Sequence, residues 1–288
     1  MRMKICGMMP VRNEEHELGL TARVALKWCD ELVVLLHECS DRSAEIVREI
    51  ANETGRVLSS HVLGDWREME HRQQLLEDAR GLGATHLAII DADEVLTANL
   101  VPLMREIIES TPRNLILQLP LYNLRGAIDR YHANGIWGNR IVSVAFADNP
   151  VLHWGGDTFH QREPIGRRLA GYTPLRHSDG GVMHLWASSL DRLRAKHRLY
   201  RVVERVRWPQ KQTSQIEKMY SWAEHGDPNN LGYGTPQTWT YADVPEQWWS
   251  GYENLMTHLD LNAKPWQDAE CDRIIDQHGR EYFKGLRI

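Results

Sequence analysis

Ala84-Thr85-His86-Leu87-Ala88-Ile89-Ile90-Asp91-Ala92-Asp93-Glu94 is an apolar run of strand length that ends in three carboxylates within four residues. A short apolar run of this kind reads as a buried strand, and the strands of an open α/β sheet present their C-terminal ends to ligand. The acids therefore stand where such folds bind. Like charges held so close together are unfavourable unless something positive compensates, and a divalent cation with oxygen ligands is the commonest compensator. A cation at that place implies a phosphate-bearing partner. The competing reading is that Asp91, Asp93 and Glu94 open a loop and cap the following helix, which needs no metal.

The first 120 residues alternate two kinds of segment. Residues 3–9, 32–36, 56–63, 86–90 and 115–119 are short apolar runs. Between them apolar residues recur at helical spacing: Leu18, Ala22, Ala25 and Trp28; Ala44, Val47, Ile50 and Ala51; Met69, Leu75, Leu76 and Ala79; Leu100, Leu103, Met104 and Ile107. Strand and helix in alternation predict an α/β fold with a mostly parallel sheet and helices on both faces. Residues 121–185 change character, with glycines around short apolar pieces such as Ile141-Val142-Ser143-Val144-Ala145-Phe146, and read as irregular strands and loops. Ser188 or Ser189 then caps a helix whose stripe is Leu190, Leu193, His197, Tyr200, Val203 and Val206, ended by Trp208-Pro209, with His197 in the core. The divisions are 1–120, 121–209 and a Trp-rich, mainly helical C-terminal extension over 210–288. Trp239, Trp248, Trp249 and Trp266 in that extension serve packing, with stacking on sugar rings as the alternative.

A chain of 288 residues is long enough to bury a substantial core in one large domain or two small ones. Its formal net charge of -5, with no basic block, argues against a nucleic-acid binder, although Arg192, Arg194, Lys196, Arg198, Arg201, Arg205 and Arg207 could form a local basic face. Cys6, Cys29, Cys39 and Cys271 have no Cys-x-x-Cys spacing, so buried free thiols in a reducing compartment are expected. No segment has the length of a signal peptide or a membrane span, and a soluble cytoplasmic protein is expected.

Polar residues collect at the C-terminal end of each predicted strand: Pro10-Val11-Arg12-Asn13-Glu14-Glu15 after the first, His37-Glu38-Cys39-Ser40-Asp41-Arg42 after the second, Asp65 after the third, and Asp91-Ala92-Asp93-Glu94 after the fourth. For any one loop, turn chemistry accounts for Asn, Asp and Ser. Four strands that release their polar residues on one edge describe a nucleotide cleft.

These segments, in this order, resemble the family 2 glycosyltransferases of the GT-A (Rossmann-like) fold. The resemblance extends over about residues 3–207 with gaps and is strongest over 8–96 and 180–200; residues 210–288 resemble nothing of the family. It implies a nucleotide-sugar-binding half over 1–120 and an acceptor and metal half over 121–209 of one domain. It also implies that Asp91-Ala92-Asp93 is the family's Asp-x-Asp motif. By the same resemblance Glu14, Asp41 and Asp65 would line the base and ribose pocket, with Pro10, Arg12 and His37 from the same loops, and Arg72 would orient the site. Asp91 and Asp93 would meet ribose and metal. Gly180-Gly181-Val182-Met183-His184-Leu185-Trp186, followed by Lys196 and Tyr200, is similar to the family's late segment, in which the histidine, here His184, would complete a Mn²⁺ or Mg²⁺ site with Asp91 and Asp93.

One departure concerns the proton acceptor. Relatives with this late segment often carry a His-Glu pair, and the corresponding place here reads His160-Gln161, in which Gln161 cannot act as a base. Asp157, then Glu163, then Asp179 are the candidate bases. The expected activity is metal-dependent transfer of a sugar from a nucleoside-diphosphate sugar to an acceptor hydroxyl, with inversion implied by the family. The acceptor would be a glycan, a lipid-linked sugar, a protein or, less in keeping with the acidic charge, a modified nucleobase. A nucleotidyltransferase acting on a sugar phosphate and a non-catalytic carbohydrate-binding protein are the alternatives. The first is disfavoured by an opening loop without glycine, and the second by the intact Asp91/Asp93 pair.

Overall fold

The computed structural model describes residues 2–156, 158, 161–225 and 238–288; Asp157, the first candidate base, and His160 lie outside the described residues. In chain order the elements begin β1 (Ile5–Val11), α1 (Leu18–Ala25), β2 (Glu31–His37), α2 (Ser43–Thr54), β3 (Val57–Val62), α3 (Glu68–Gly81) and β4 (His86–Ile89). They continue β5 (Glu94–Leu96), α4 (Met104–Ser110), β6 (Leu115–Asn123), β7 (Arg130–His132), β8 (Arg140–Ala147), β9 (Ala170–Tyr172) and β10 (Val182–His184). Then come α5 (Leu190–Arg207), α6 (Thr213–His225), β11 (Tyr241–Asp243) and α7 (Trp266–His278). Two compact units share this chain: residues 1–121, 140–184 and 245–260 form the first, and 122–139, 185–244 and 261–288 the second.

The first unit carries the large sheet, in the order β3-β2-β1-β4-β8-β6-β10-β5, with β9 added on β6. β1 is parallel to β2 and β4, and β2 is parallel to β3, so the strand–helix alternation of the first 90 residues yields the mostly parallel α/β sheet that the sequence predicts. The apolar runs of β1, β2 and β4 are continuous because both faces of these strands are covered. Met69, Leu75, Leu76 and Ala79 of α3 pack on Met8, Val33, Leu35, Leu87 and Ile89 from three parallel strands. β3 lies at the sheet edge, and its central Leu58-Ser59-Ser60-His61 is half-buried to exposed, as an edge strand tolerates.

β8 is the main element the sequence leaves indistinct. It runs antiparallel between β4 and β6, turning a stretch read as irregular into an inner strand of eight residues. The pattern at 100–107 becomes two elements, a 3-10 turn over Ala98–Leu103 followed by α4. Pro102 lies within that turn and lacks an N–H to donate. Segment 245–260 returns to the first unit. The Tyr252 hydroxyl donates to the Leu96 carbonyl at 2.9 Å, Trp248 is buried, and Asp260 N–H donates to the His16 carbonyl at 2.8 Å.

The second unit packs α5, α6 and α7 around Leu199, Val202, Ile216, Tyr220, Cys271 and Ile275. His197 is in this core as expected, beside the rings of Trp186, Tyr200 and Tyr220. Trp239 is also buried, in the packing role. The expectation of a basic face on α5 is corrected. Arg198 pairs with Asp268 and Asp272, Arg201 is buried against Glu217, and Arg205 donates to the carbonyls of Pro209 and Lys211. Ser189 holds the N-cap position, one of the two expected, but makes no side-chain cap bond, and the Ser188 hydroxyl turns back to the Leu185 carbonyl. All four cysteines are free, and among the described residues no helix is long and apolar enough to cross a membrane.

Candidate functional site

The loops that follow β1, β2 and β3 are joined side by side in the first unit. Asn13 adopts the left-handed conformation, φ 54°, which asparagine tolerates, and its Oδ1 accepts the backbone N–H groups of Ser40 (2.7 Å) and Asp41 (3.3 Å). Asp41 accepts in return from the N–H groups of Glu15 and Ser43, each at 2.9 Å, and the Ser43 hydroxyl accepts from Glu14 N–H. Glu38 is also left-handed, φ 48°, and its carboxylate accepts from Gly64 N–H at 2.6 Å. Two non-glycine residues held at positive φ, one at the end of each central strand, are the kind of local strain that collects at binding sites.

Above these loops lies a ring cluster. His37 ends β2, and its Nε2 donates to the Gly64 carbonyl at 2.8 Å. The His37 ring centroid is 4.7 Å from that of His71 and 6.1 Å from that of Trp66, over which the Arg12 guanidinium sits at 5.6 Å. Burial, then the neighbouring charge of His37, pushes the His71 imidazole down to about 4. Asp65 is exposed at the rim, its charge acting on His37, and Pro10 is half-buried near the end of β1. Arg12, His37 and Asp65 are thus brought together, whereas the Asp41 carboxylate is taken up by the turns around it. Sequence reading missed Trp66 and His71; the available signal was an aromatic residue directly after Asp65 and a histidine one position before Arg72.

At the end of β4 the chain turns sharply, with Glu94 N–H donating to the Asp91 carbonyl at 3.0 Å, and re-enters the sheet as β5. The three acids separate in this turn. Asp91 receives one arginine on each oxygen, Arg72 on Oδ1 at 3.1 Å and Arg162 on Oδ2 at 2.8 Å. Burial would raise the Asp91 carboxyl, but Arg72 and Arg162 outweigh it and hold the group below its ordinary value. Glu94, nearly fully buried, takes a bidentate fork from Arg162 at 2.8 and 2.6 Å. Arg72 also pairs with Glu68 one turn back on α3, at 3.1 Å. Positive compensation for the buried carboxylates is therefore present, and two arginines supply it for Asp91 and Glu94. Sequence reasoning passed over Arg162 as well. It adjoins the Gln161 that attracted notice, and nothing local distinguishes it from other arginines of the loop.

Asp93 faces elsewhere. β10 pairs antiparallel with β5 so that His184 stands opposite Glu94, and His184 Nε2 comes within 3.4 Å of Asp93 Oδ2. Gly180 and Gly181 make this possible. Gly180 has φ 109°, and a Cβ on Gly181 would sit 2.1 Å from the Pro120 carbonyl oxygen, so β10 can lie against β6 only with glycine there. Thr97 fixes the start of β10, exchanging two hydrogen bonds with Gly181 at 2.8 and 3.1 Å.

Of the candidate bases in the described residues, Glu163 accepts from the Ser143 hydroxyl on β8 at 2.5 Å. Asp179 is exposed and engaged in its own turn with Arg176 N–H and the Ser178 hydroxyl. Gln161 is bonded to the Thr158 hydroxyl, and its carbonyl accepts from the Trp154 indole.

A second acid–histidine group is present. Glu14, His16 and Glu17 place possible metal-ligating atoms within 4.8 Å of one another in the β1–α1 connection. His16 Nε2 lies 3.2 Å from Glu14 and 3.0 Å from Glu17. Burial opposes the charge on His16, but the hydrogen bonds to both carboxylates prevail and hold the imidazole at about 9.

No family model matches the chain, and no curated protein matches it. Among solved structures, S. aureus TarS 1-349 aligns with a TM-score of 0.44 and 13% identity, over 76% of this chain and 69% of that one. The complex of S. aureus TarS 1-349 with UDP aligns at 0.33 and 16% identity, over 43% of this chain and 36% of that one. Glucosyl-3-phosphoglycerate synthase from Mycobacterium tuberculosis, in complex with Mn²⁺, UDP and phosphoglyceric acid, aligns at 0.27 and 19% identity, over 42% and 43% of the respective chains. In the latter two alignments the chain spans less than half the length of the structure it matches.

Proposed function

We propose that this protein is a glycosyltransferase that moves a sugar from a nucleoside-diphosphate sugar to an acceptor hydroxyl, dependent on Mn²⁺ or Mg²⁺ and with inversion. The observation that carries the reading is the approach of His184 Nε2 to Asp93 Oδ2, 3.4 Å apart at the C-terminal edge of a mostly parallel sheet. One carboxylate and one imidazole, both largely buried, suit a cation that takes its remaining ligands from substrate phosphate and water. Asp91 belongs to the same site but has both oxygens on arginines, so its part is to meet the donor or to steady Asp93. Such a cation, once bound, supplies Lewis-acid neutralisation of the diphosphate leaving group.

The residues of the chain divide the remaining work. Arg12, His37, Asp65 and Trp66 border the edge where base and ribose would lie, with Pro10, Glu14 and Asp41 shaping the loops beneath. Arg72 holds Asp91 in its ionised form. A carboxylate takes the proton of the acceptor hydroxyl as it attacks the anomeric carbon, a contribution of ~10²–10⁴-fold in rate. Asp157, Glu163 and Asp179 are the candidates for that step, in that order.

The test is a thermal-shift screen of nucleotide sugars with and without Mn²⁺, followed by an assay for nucleoside diphosphate release. Stabilisation by one donor class that requires the cation supports the reading, because a ligand that binds only the native state raises the midpoint according to its affinity. Stabilisation by nucleoside triphosphates with pyrophosphate release would instead identify a nucleotidyltransferase.

A further inference from the structure

We propose that Arg162 is a positioning residue: it holds Asp91 and Glu94, which flank Asp93 in the chain, so that the Asp93 carboxylate is presented beside His184. The inference rests on the reading that Asp93 and His184 receive a divalent cation. Guanidinium offers five N–H donors in a rigid plane, and all five are used here. Nε donates to the Ser143 carbonyl at 2.7 Å. Nη1 donates to Asp91 Oδ2 and Glu94 Oε1, each at 2.8 Å. Nη2 donates to the Ile89 carbonyl at 2.9 Å and to Glu94 Oε2 at 2.6 Å. The acceptors come from β8, from the last residue of β4 and from both sides of the acidic turn, so one side chain ties the turn to two strands.

Asp93 itself is left out of this set of bonds. The arrangement restrains the turn before and after it while leaving its carboxylate oriented toward His184. Lysine could replace the charge of Arg162 but not the fork, since an ammonium is a point charge with three donors. The arginine also lies close enough for the Asp93 charge to act on it, which sets two effects in opposition. As a mere positive charge, Arg162 repels a cation at Asp93 and its removal should tighten binding. As a positioning residue, its removal should loosen binding, because groups that orient a metal ligand are worth ~10–100-fold in metal affinity.

The experiment measures Mn²⁺ affinity of the full chain without any donor, from the electron paramagnetic resonance signal of free Mn²⁺. Wild type is compared with Arg162→Met, Arg162→Lys and Asp93→Asn. Positioning requires that Arg162→Met binds at least tenfold more weakly than wild type, and that Arg162→Lys is weakened despite its retained charge. Affinity equal to or tighter than wild type in Arg162→Met overturns the proposal. If Arg162→Met does not fold, by near-ultraviolet circular dichroism, wild-type affinity in Arg162→Lys overturns it. Wild-type protein that binds no Mn²⁺ without donor overturns this inference alone, because the cation then needs the donor phosphates to bind; Asp93→Asn that binds Mn²⁺ undiminished overturns the cation reading and this inference with it, and a loss in Asp93→Asn with none in the Arg162 variants overturns the positioning role alone.

Discussion

Asp93 and His184 come from distant parts of the chain and meet at 3.4 Å because β10 runs antiparallel to β5 and sets His184 across from Glu94, the neighbour of Asp93. The contact is made between two strand ends, in a part of the sheet where both backbones are already paired.

Asp93→Ala should therefore remove sugar transfer by at least ~100-fold while leaving the unfolding midpoint within a few degrees of wild type. His184→Ala should raise the Mn²⁺ concentration needed for half-maximal transfer. His197→Ala should leave that requirement unchanged and lower stability instead, because His197 is packed among rings in the second unit. Titrating Mn²⁺ in the transfer assay for both variants checks the contrast, and the reverse order would show the histidine ligand to be misplaced.

Arg72→Met should destabilise the protein by about 3 kcal/mol in urea unfolding. The change strips the buried Glu68 of its arginine and the partly exposed Asp91 of one of its two, and an uncompensated buried charge such as that of Glu68 is costly. Asp91 keeps Arg162 in that variant, so the loss should be smaller than in a variant lacking both arginines.

The Glu14–His16–Glu17 group makes stability fall in alkali. Its folded value of about 9 exceeds the ordinary 6.5 of histidine, so its contribution is complete below about pH 6.5 and is lost as pH rises through about 9. Urea unfolding at pH 6 and pH 10 should show wild type losing ~2–3 kcal/mol more than His16→Asn over that interval. Equal losses in the two proteins would remove His16 as the cause. His71, pushed down to about 4, acts at the other end: its contribution is lost as pH falls from about 6.5 toward 4.

Segment 245–260 should stabilise the first unit through two contacts of different size. Tyr252→Phe removes a buried bond to the Leu96 carbonyl and should cost about 1 kcal/mol. Trp248→Ala empties a fully enclosed site and should cost about 3–5 kcal/mol. Chemical denaturation of the two variants measures both.

Much of the first unit was legible because its elements are set by local periodicity. The apolar runs that became β1, β2 and β4 and the helical stripes of α2 and α3 lie close to their predicted places, since a strand covered on both faces must be apolar throughout and a helix on the sheet must be apolar on one side. β8 was indistinct because its partners β4 and β6 lie far away in sequence, and a short run among glycines carries no record of what it pairs with. The return of 245–260 was hidden for the same reason.

In the candidate site, the sequence by itself determined that acids would gather at the end of the fourth strand and that a histidine would follow two glycines late in the chain. Only the tertiary structure decided how the acids divide their partners: Asp91 and Glu94 to arginines, Asp93 to His184. The need for positive charge beside buried carboxylates follows from electrostatics and can be inferred from composition of the motif alone. Which side chain meets that need depends on distances across the sheet, and Arg162 reaches Asp91 and Glu94 only because β8 lies next to β4.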